Sequence, residues 1–203
     1  MGPLSGIRVI ELAHIMAGPC CGLMLADMGA NVIKLEKAPA GDDSRRFLPP
    51  DIGDESAAFL MMNRNKRGIA VNLKEPGGKD VLKRLLKTAD VVIENYRMDT
   101  MDKLGLGYSD LEKLNPSLVM TSISNYGQTG PYRDWKATEL NLYAAGGLMY
   151  ITGEPDSEPL KEGAPLAQLG AGQTAFVATM GSLMHAEDTG QGQHIDVSIS
   201  DYA

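Results

Sequence analysis

The chain has 203 residues, 43% of them hydrophobic, and a formal net charge of −7 at pH 7. This hydrophobic content suffices for the core of one large or two small domains and argues against a disordered chain. The acidic balance argues against non-specific binding to nucleic acid or to an acidic membrane surface. No apolar run is long enough to cross a membrane and no signal-peptide pattern begins the chain, so we expect a cytoplasmic protein without a membrane segment.

Strand-like and helix-like segments alternate along the chain, starting with a βαβ unit. The predicted strands are residues 6–12, 30–36, 67–73, 90–96, 118–124 and 194–200. The predicted helices are residues 20–29, 77–89, 98–105, 108–114, 139–149 and 173–187. This alternation predicts an α/β fold with a doubly wound open parallel sheet of the Rossmann-like kind, in which ligands bind at the carboxyl ends of the strands.

The loop and helix after the first strand carry the first candidate chemistry. Pro19 suits a first helical position, and Gly18 would let a ligand such as a phosphate approach the helix N-terminus. His14 lies just before them and is either a ligand-binding or a structural histidine. The adjacent Cys20 and Cys21 are predicted to be reduced and buried as small apolar residues, with a catalytic thiol as the alternative.

Later loops add further candidates. No GxGxxG fingerprint follows the first strand, which argues against a nicotinamide dehydrogenase although Glu36 lies near the end of the second strand. Residues 38–56 are rich in Gly, Pro and Asp and are predicted to form a functional loop or a lid. Residues 63–68 (NRNKRG) carry three cations and are predicted to be a solvated face. A stacked base with bound phosphates, or an ordinary loop, is predicted around Asn95, Tyr96, Arg97 and Lys103.

A resemblance to a known family spans the whole chain. The segments that carry it, in chain order, are LSGIRVIEL, AGP followed by LADMGANVIKLE, GDDSR, NRNKRGIAVNLK, ADVVIENYR, LGLGY, LNPSLV, SISNYGQTGPY, GLMYITGEPD and TGQGQHIDVSISD. Together they resemble the N-terminal half of the class III CoA-transferases of the formyl-CoA:oxalate and carnitine type, whose superfamily includes α-methylacyl-CoA racemase.

The resemblance implies transfer of CoA from an acyl-CoA to a free carboxylic acid through enzyme-bound intermediates. CoA and acyl-CoA are then substrates, with no permanently bound cofactor and no metal. An interlocked homodimer, or a heteromer with a catalytic homologue, is also implied. Residues 1–203 are expected to be a truncated CoA-binding Rossmann-like large domain, since the chain ends directly after a predicted strand and the family's small domain lies beyond it.

The resemblance also assigns site residues. Lys37 would approach the nucleotide phosphates, and Val71 would line the adenine pocket. The full set of residues implied to border CoA is His14, Ile15, Lys37, Val71, Asn95, Tyr96 and Lys103.

The catalytic position departs from the family pattern. Catalytic members have an aspartate where this chain has Gln168, and a carboxylate can form acyl and CoA adducts whereas a neutral amide cannot. Glu139 matches a position that often holds an acid, so it is a candidate replacement nucleophile; alternatively it orients or caps a helix N-terminus after Thr138. A non-catalytic CoA-binding subunit that pairs with an active homologue is therefore a second hypothesis.

A racemase is disfavoured by the same comparison. Thr138 and Gln168 stand where the racemase branch has its histidine and its acid, and neither can exchange a proton with a carbon acid at neutral pH. His185 and His194 are expected to be surface or packing residues.

Overall fold

The structure is a computed structural model that describes residues 2–47 and 50–203. Its strands are β1 (Arg8–Glu11), β2 (Asn31–Lys37), β3 (Asp51–Ile52), β4 (Glu55–Ser56), β5 (Arg67–Val71), β6 (Val91–Glu94), β7 (Val119–Ser124) and β8 (His194–Ser198). Strands β3 and β4 form a small antiparallel ribbon, and the other six form one parallel sheet. The predicted α/β class and parallel sheet are confirmed.

Helices lie between the strands. They are α1 (Ala17–Asp27), α2 (Ala57–Asn63), α3 (Pro76–Leu86), α4 (Thr100–Leu104), α5 (Tyr108–Leu114), α6 (Glu139–Gly146), α7 (Leu166–Thr189) and α8 (Ile199–Tyr202), with 3-10 helices at Asp43–Arg46 and Leu148–Ile151. Within the described ranges, none of these helices combines the length and the apolar character that crossing a bilayer requires.

The strand order in the sheet is β5-β2-β1-β6-β7-β8. From β1 the chain builds outward through β2 and β5, and it then returns to the other side of β1 to add β6, β7 and β8. This reversal leaves a crevice beyond the carboxyl ends of β1 and β6, which is where doubly wound sheets bind ligands. The fold therefore directs attention to the residues that follow β1 and β6.

Apolar side chains cover both faces of the sheet, as expected for buried parallel strands. One face, with Val9 and Val91, packs against α1 and α7. The other face, with Ile10 and Val92, packs against α3 and α5. The predicted apolar side of α3 is confirmed, since Leu82 is fully buried.

Helices α1 and α7 pack very closely through small residues. A Cβ on Gly172 would lie 2.5 Å from the Ala17 carbonyl oxygen and 2.7 Å from the Cys20 Cβ. This contact explains why α7 begins at Leu166, well before the predicted start at residue 173. Glycine weakens a helix by itself, but here the close helix contact offsets that cost.

One expectation for the start of α1 is wrong. The helix begins at Ala17, so Pro19 is its third residue rather than its first; the first turn tolerates proline because its N–H groups have no intrahelical partner. A Cβ on Gly18 would lie 2.1 Å from the Ala13 Cβ, so the glycine permits packing against the protein's own loop. The approach of a ligand to this helix N-terminus stays a prediction.

The predicted irregular stretch 38–56 contains the first 3-10 helix and the β3–β4 ribbon, and its residues 48 and 49 lie outside the described ranges. Helix α2, which was not predicted, follows at once, and the Ser56 hydroxyl caps it by accepting the Phe59 N–H at 3.1 Å. Helix α6 is shorter than predicted because Gly147, with φ of +104°, ends it.

Both cysteines are free and buried, as predicted. Burial raises the pKa of the Cys20 and Cys21 thiols, so both stay protonated at neutral pH. They fill space between α1 and its neighbours and do not act as activated nucleophiles.

Candidate functional site

The loop that follows β1 is tied to the loop that follows β6. The Asn95 Oδ1 accepts the His14 N–H at 2.9 Å, and the Asn95 Nδ2 donates to the His14 carbonyl at 2.7 Å. These two bonds continue the pairing of β1 with β6 beyond the last strand residues. The His14 and Tyr96 rings face the same crevice with centroids 5.6 Å apart. The structure thus brings together three of the residues predicted to border CoA.

Ile15 has a left-handed backbone, with φ of +69°. A β-branched residue in this region is an outlier, and such strain costs on the order of 1–3 kcal/mol. The Ile15 N–H donates to Asp42 Oδ1 at 3.2 Å, and its side chain packs in an apolar cluster with Met16 and Cys20. The hydrogen bond and the packing together hold the strained loop.

Four buried charged residues form a chain beneath this loop. Lys34 Nζ lies 2.9 Å from Glu11 Oε1 and 2.8 Å from Asp42 Oδ2, and Lys66 Nζ lies 2.8 Å from Glu11 Oε2. These side chains are at most 3% exposed, and two cations balance two anions. Burial alone would raise the pKa of Asp42, but the Lys34 ammonium and hydrogen bonds from Ser44 lower it to about 2. Asp42 is therefore ionised at neutral pH.

Lys66 corrects the prediction of a solvated face at residues 63–68. Its side chain is buried, and it also donates to the Pro19 carbonyl at 2.8 Å. Arg64 and Arg67 of the same segment are exposed, as predicted. The prediction failed for Lys66 because its partner, Glu11, lies far away in the sequence.

Glu36, the acid considered for a dinucleotide ribose, is already occupied by protein contacts. Arg45 Nη2 lies 2.6 Å from Glu36 Oε1, and Arg45 Nε donates to Oε2 at 2.8 Å. The Asp42 N–H also donates to Oε2, at 2.7 Å. Burial opposes these contacts, but together they lower the pKa of Glu36. The geometry agrees with the missing GxGxxG pattern in disfavouring a dehydrogenase.

Glu94, the last residue of β6, fixes the backbone of Tyr96. The Tyr96 N–H donates to Glu94 Oε2 at 2.7 Å, and Glu94 is 3% exposed. Burial, opposed by hydrogen bonds from Ser122 and Tyr96, raises the pKa of Glu94 to about 6. Burial also raises the pKa of Tyr96 to about 12 and lowers that of His14, so both rings are uncharged at neutral pH. They present aromatic and hydrogen-bonding surfaces rather than charge.

Lys37 provides an exposed cation at the same edge of the sheet. It pairs in register with Val71 at the carboxyl ends of β2 and β5, and its Nζ lies 2.6 Å from Asp43 Oδ1. A cavity opens beside it, with a lining that includes Ala13, His14, Lys37, Gly41, Asp42, Asp43 and Tyr96.

The structure does not bring Val71 and Lys103 into this cavity. Val71 is 8% exposed and packs in the core. Lys103 is an exposed residue of α4, with its Nζ 4.0 Å from Asp99 Oδ2. Neither is among the described residues that line the cavity.

Glu139 reaches the N-terminus of α7. The Ala167 N–H donates to Glu139 Oε1 at 2.8 Å, and Glu139 Oε2 is buried without a hydrogen-bond partner among the described residues. Gln168, which is half-buried, follows Ala167 directly. The expected proximity of Glu139 to Gln168 is therefore observed. The Thr138 N–H is satisfied separately by the Asn141 side chain at 3.0 Å, so the Glu139 carboxylate serves α7 rather than its own helix.

The N-terminus of α7 adjoins the strained loop after β1. Leu169, the residue after Gln168, packs in the same apolar cluster as Ile15, and the Cys20 thiol lies 3.7 Å from the Leu169 carbonyl oxygen. The first turn of α7 and the loop after β1 therefore pack against the same apolar cluster.

The remaining histidines match the expectation of surface or packing roles. His185 is exposed, and His194 Nε2 lies 2.9 Å from the Ser122 hydroxyl while its ring stacks on Tyr108. Over residues 2–47 and 50–203, no group of three or more His, Cys, Asp or Glu could hold a metal ion.

The roles of Glu11, Lys34 and Asp42 were not predicted from the sequence. One signal for them exists in the sequence, because a charged residue inside a strand that is otherwise apolar has to find a buried partner. Glu11 in VIEL and Lys34 in VIKLE are such residues in adjacent strands. Asp42 lies in a loop and gave no comparable signal.

Comparison with known proteins connects this geometry to one family. The profile of CoA-transferase family III matches residues 4–203. A succinate–glutarate CoA-transferase of Agrobacterium fabrum is 48% identical over 98% of this chain and 51% of its own length. The β subunit of a succinyl-CoA–L-malate CoA-transferase of Chloroflexus aurantiacus is 40% identical over 97% of this chain and 49% of its own length.

A solved structure agrees with the sequence matches. A CAIB/BAIF family protein from Brucella suis superimposes with a TM-score of 0.94 at 41% identity, covering 98% of this chain and 54% of that chain. The chain spans about half the length of the curated relatives it matches.

Proposed function

The chain belongs to CoA-transferase family III, and from this membership we propose that it forms the CoA-binding part of an enzyme that transfers CoA from an acyl-CoA to a free carboxylic acid. The observation that carries the proposal is the crevice at the reversal of strand order, where His14, Asn95 and Tyr96 adjoin. Doubly wound sheets bind their ligands at this point.

In this proposal CoA lies along the carboxyl edge of the sheet. Lys37 is exposed, and its ion-pair partner among the described residues is an exposed carboxylate, Asp43, so a phosphate can replace that partner. The rings of His14 and Tyr96 and the strained backbone at Ile15 border the next part of the ligand. Val71 and Lys103 remain proposed contacts, reached by parts of CoA that extend outside the cavity.

The chemistry then requires a carboxylate at the acyl end. A carboxylate oxygen attacks the thioester carbonyl, the C–S bond breaks, and CoA leaves as a thiolate while a mixed anhydride forms. The thiolate attacks the enzyme's carbonyl, which releases the donor acid and leaves CoA as an enzyme thioester. The acceptor acid repeats these two steps in reverse and leaves with CoA. Gln168 has no carboxylate and cannot carry out the first step.

Glu139 is the proposed nucleophile in place of the missing aspartate. Its Oε2 has no hydrogen-bond partner among the described residues, whereas its Oε1 accepts the Ala167 N–H. This oxygen is buried, so the proposed attack requires the Glu139 side chain to turn toward the substrate. The competing role is structural, because a carboxylate beside the N-terminus of α7 stabilises that helix without any chemistry.

A non-catalytic CoA-binding subunit is the second candidate function. The observation that favours it is Gln168, which keeps the position polar but removes the nucleophile. A relative that is named as a β subunit gives a precedent for more than one chain type in this family. In that case the chain pairs with an active homologue and supplies one part of a shared site.

Mass spectrometry of the complete native polypeptide tests both candidates. The protein is incubated with a panel of acyl-CoAs and quenched with hydroxylamine or borohydride, and adducts are mapped on peptides. Wild type is compared with Glu139→Gln and Gln168→Asp, and exposed Glu154→Gln serves as the matched control. Retention of free CoA is recorded for every variant.

Each outcome separates the candidates. A trapped adduct on Glu139 that disappears in Glu139→Gln supports a working transferase. Free CoA retained without any adduct, together with activity gained in Gln168→Asp, supports the non-catalytic subunit. A wild type that neither retains CoA nor forms an adduct contradicts both.

The proposal extends to the acceptor acid, the assembly and the location. We propose a small dicarboxylic acid as the acceptor, because the reported relatives are named for succinate, glutarate and malate. A homodimer, or a heteromer with a catalytic homologue, and a cytoplasmic location complete the proposal.

A further inference from the structure

We propose that Asp42 is a positioning residue of the CoA site: it holds the strained His14 and Ile15 loop in its binding conformation and is itself anchored by the buried chain of Lys34, Glu11 and Lys66. The inference rests on the proposed CoA site. It assigns a role to two sequence segments, GDDSR and NRNKRG, for which the proposed reaction has no use.

Asp42 uses both carboxylate oxygens at once. Oδ1 accepts the Ile15 N–H at 3.2 Å, the Ser44 N–H at 2.9 Å and the Ser44 hydroxyl at 2.7 Å. Oδ2 lies 2.8 Å from Lys34 Nζ. One oxygen therefore organises the backbone of two loops, and the other fixes the carboxylate to the sheet.

The left-handed backbone of Ile15 requires contacts that stabilise it. A left-handed β-branched residue relaxes to an ordinary backbone conformation unless the surrounding structure opposes it. From the other side, the His14 backbone is clamped by Asn95. Asp42, in the loop after β2, and Asn95, in the loop after β6, thus hydrogen-bond to successive residues of the loop after β1.

The anchor of Asp42 is buried and neutral overall. Lys34 also donates to the Ala13 carbonyl at 2.7 Å, so the same ammonium group contacts the loop that Asp42 holds. Glu11 continues the chain to Lys66, whose Nζ reaches the Pro19 carbonyl in the first turn of α1. The buried chain of charges therefore contacts both ends of the loop, at Ala13 through Lys34 and at Pro19 through Lys66.

Asp42 belongs to the wall of the cavity, but its carboxylate is buried and its oxygens are engaged by Ile15, Ser44 and Lys34. The neighbouring Asp43 is exposed and pairs with Lys37 in the same cavity. Exchange of the Ile15 amide without CoA is therefore the measurement that reports on the loop itself.

The test compares Asp42→Ala with Asp42→Asn in the complete native polypeptide. Asp42→Asn keeps an oxygen for the Ile15 N–H, whereas Asp42→Ala removes it. Free CoA binding is measured by calorimetry, and hydrogen exchange of the Ile15 amide is measured without CoA. Leu111→Ala, a core change in α5 that leaves the hydrogen-bond partners of Asp42 and Ile15 in place, controls for general loss of stability.

We expect Asp42→Ala to weaken CoA binding by about tenfold or more and to accelerate exchange of the Ile15 amide by a similar factor, since one buried hydrogen bond and its anchor are lost. Asp42→Asn is expected to retain part of both. Leu111→Ala is expected to lower the midpoint of thermal unfolding while CoA affinity stays within about twofold of wild type.

Unchanged Ile15 exchange in Asp42→Ala overturns the inference, and so does an equal loss of CoA affinity in Leu111→Ala. If the wild type does not bind CoA, the proposed function fails instead. The exchange measurement then still decides whether Asp42 holds the loop.

Discussion

Replacing Glu11 by Gln is expected to lower the free energy of unfolding by about 3–5 kcal/mol, the usual effect of breaking a buried ion pair on one side. Glu11 lies between Lys34 and Lys66, whose side chains are 3% and 2% exposed, so water cannot take its place. The change preserves shape but leaves one net positive charge in the buried chain. The free energy of unfolding of a typical domain is about 5–15 kcal/mol, so this loss is a large part of the total stability.

Urea unfolding of the complete native polypeptide, followed by circular dichroism, measures this loss. Asp27→Asn is the matched control because it breaks a surface pair with Arg64, and it is expected to change stability by less than about 1 kcal/mol. Adding Lys66→Met to Glu11→Gln removes the unpaired cation. The double variant is therefore expected to be clearly more stable than the sum of the two single losses predicts.

Two results would refute this reasoning. A loss of less than about 1 kcal/mol in Glu11→Gln would mean that the buried chain behaves like a surface pair. Additive losses in the double variant would mean that Glu11 and Lys66 do not interact.

Three further predictions concern other parts of the site. Glu94 has a folded-state pKa of about 6 against an ordinary 4.5, so the folded state favours its protonated form. The contribution of Glu94 to the free energy of unfolding is therefore fully present below pH 4.5 and falls by up to about 2 kcal/mol as the pH rises through 6. Glu94→Gln should remove this dependence in unfolding measured from pH 4 to 8. Gly22→Ala should unfold at lower urea concentration, because its Cβ would lie 1.9 Å from Glu11 Oε2. Cys20 and Cys21 should react with a thiol reagent only after unfolding, since both are buried with raised pKa values.

Each of these three predictions has a result that would contradict it. A stability difference between wild type and Glu94→Gln that is constant with pH would place the titration elsewhere. Wild-type stability in Gly22→Ala would show that Glu11 can move aside. Rapid labelling of a cysteine in the folded protein would mean that α1 opens readily.

The strand pattern was predictable because it depends on local residue types. Strands such as VVIE at Val91–Glu94 carry three consecutive apolar residues, which indicates burial on both faces and hence a parallel sheet. The positions of His14, Asn95 and Tyr96 at strand ends followed from that sheet alone. Helix boundaries were less predictable: the small residues before Gln173 disfavour a helix locally, and only the contact with α1 explains why α7 already begins at Leu166.

Residues of the candidate site that belong to a family motif could be identified from the sequence. Contacts between residues far apart in the chain could not. Gln168 and Glu139 were identified from the family pattern, and their proximity followed. The burial of Lys66 could not be predicted, because it depends on Glu11, which lies in another strand.

The sequence by itself therefore determined the fold class and the family, and it pointed to the strand ends proposed to bind CoA and to Gln168 as the position of the family's aspartate, since each depends on local residue types and their order. Only the tertiary structure decided that Ile15 has a left-handed backbone, that Asp42 accepts its N–H and that Glu139 reaches α7. These features arise from contacts between residues far apart in the chain. A lysine or an aspartate has the same chemistry everywhere in a sequence, and its role depends on which opposite charge the fold places within hydrogen-bonding distance.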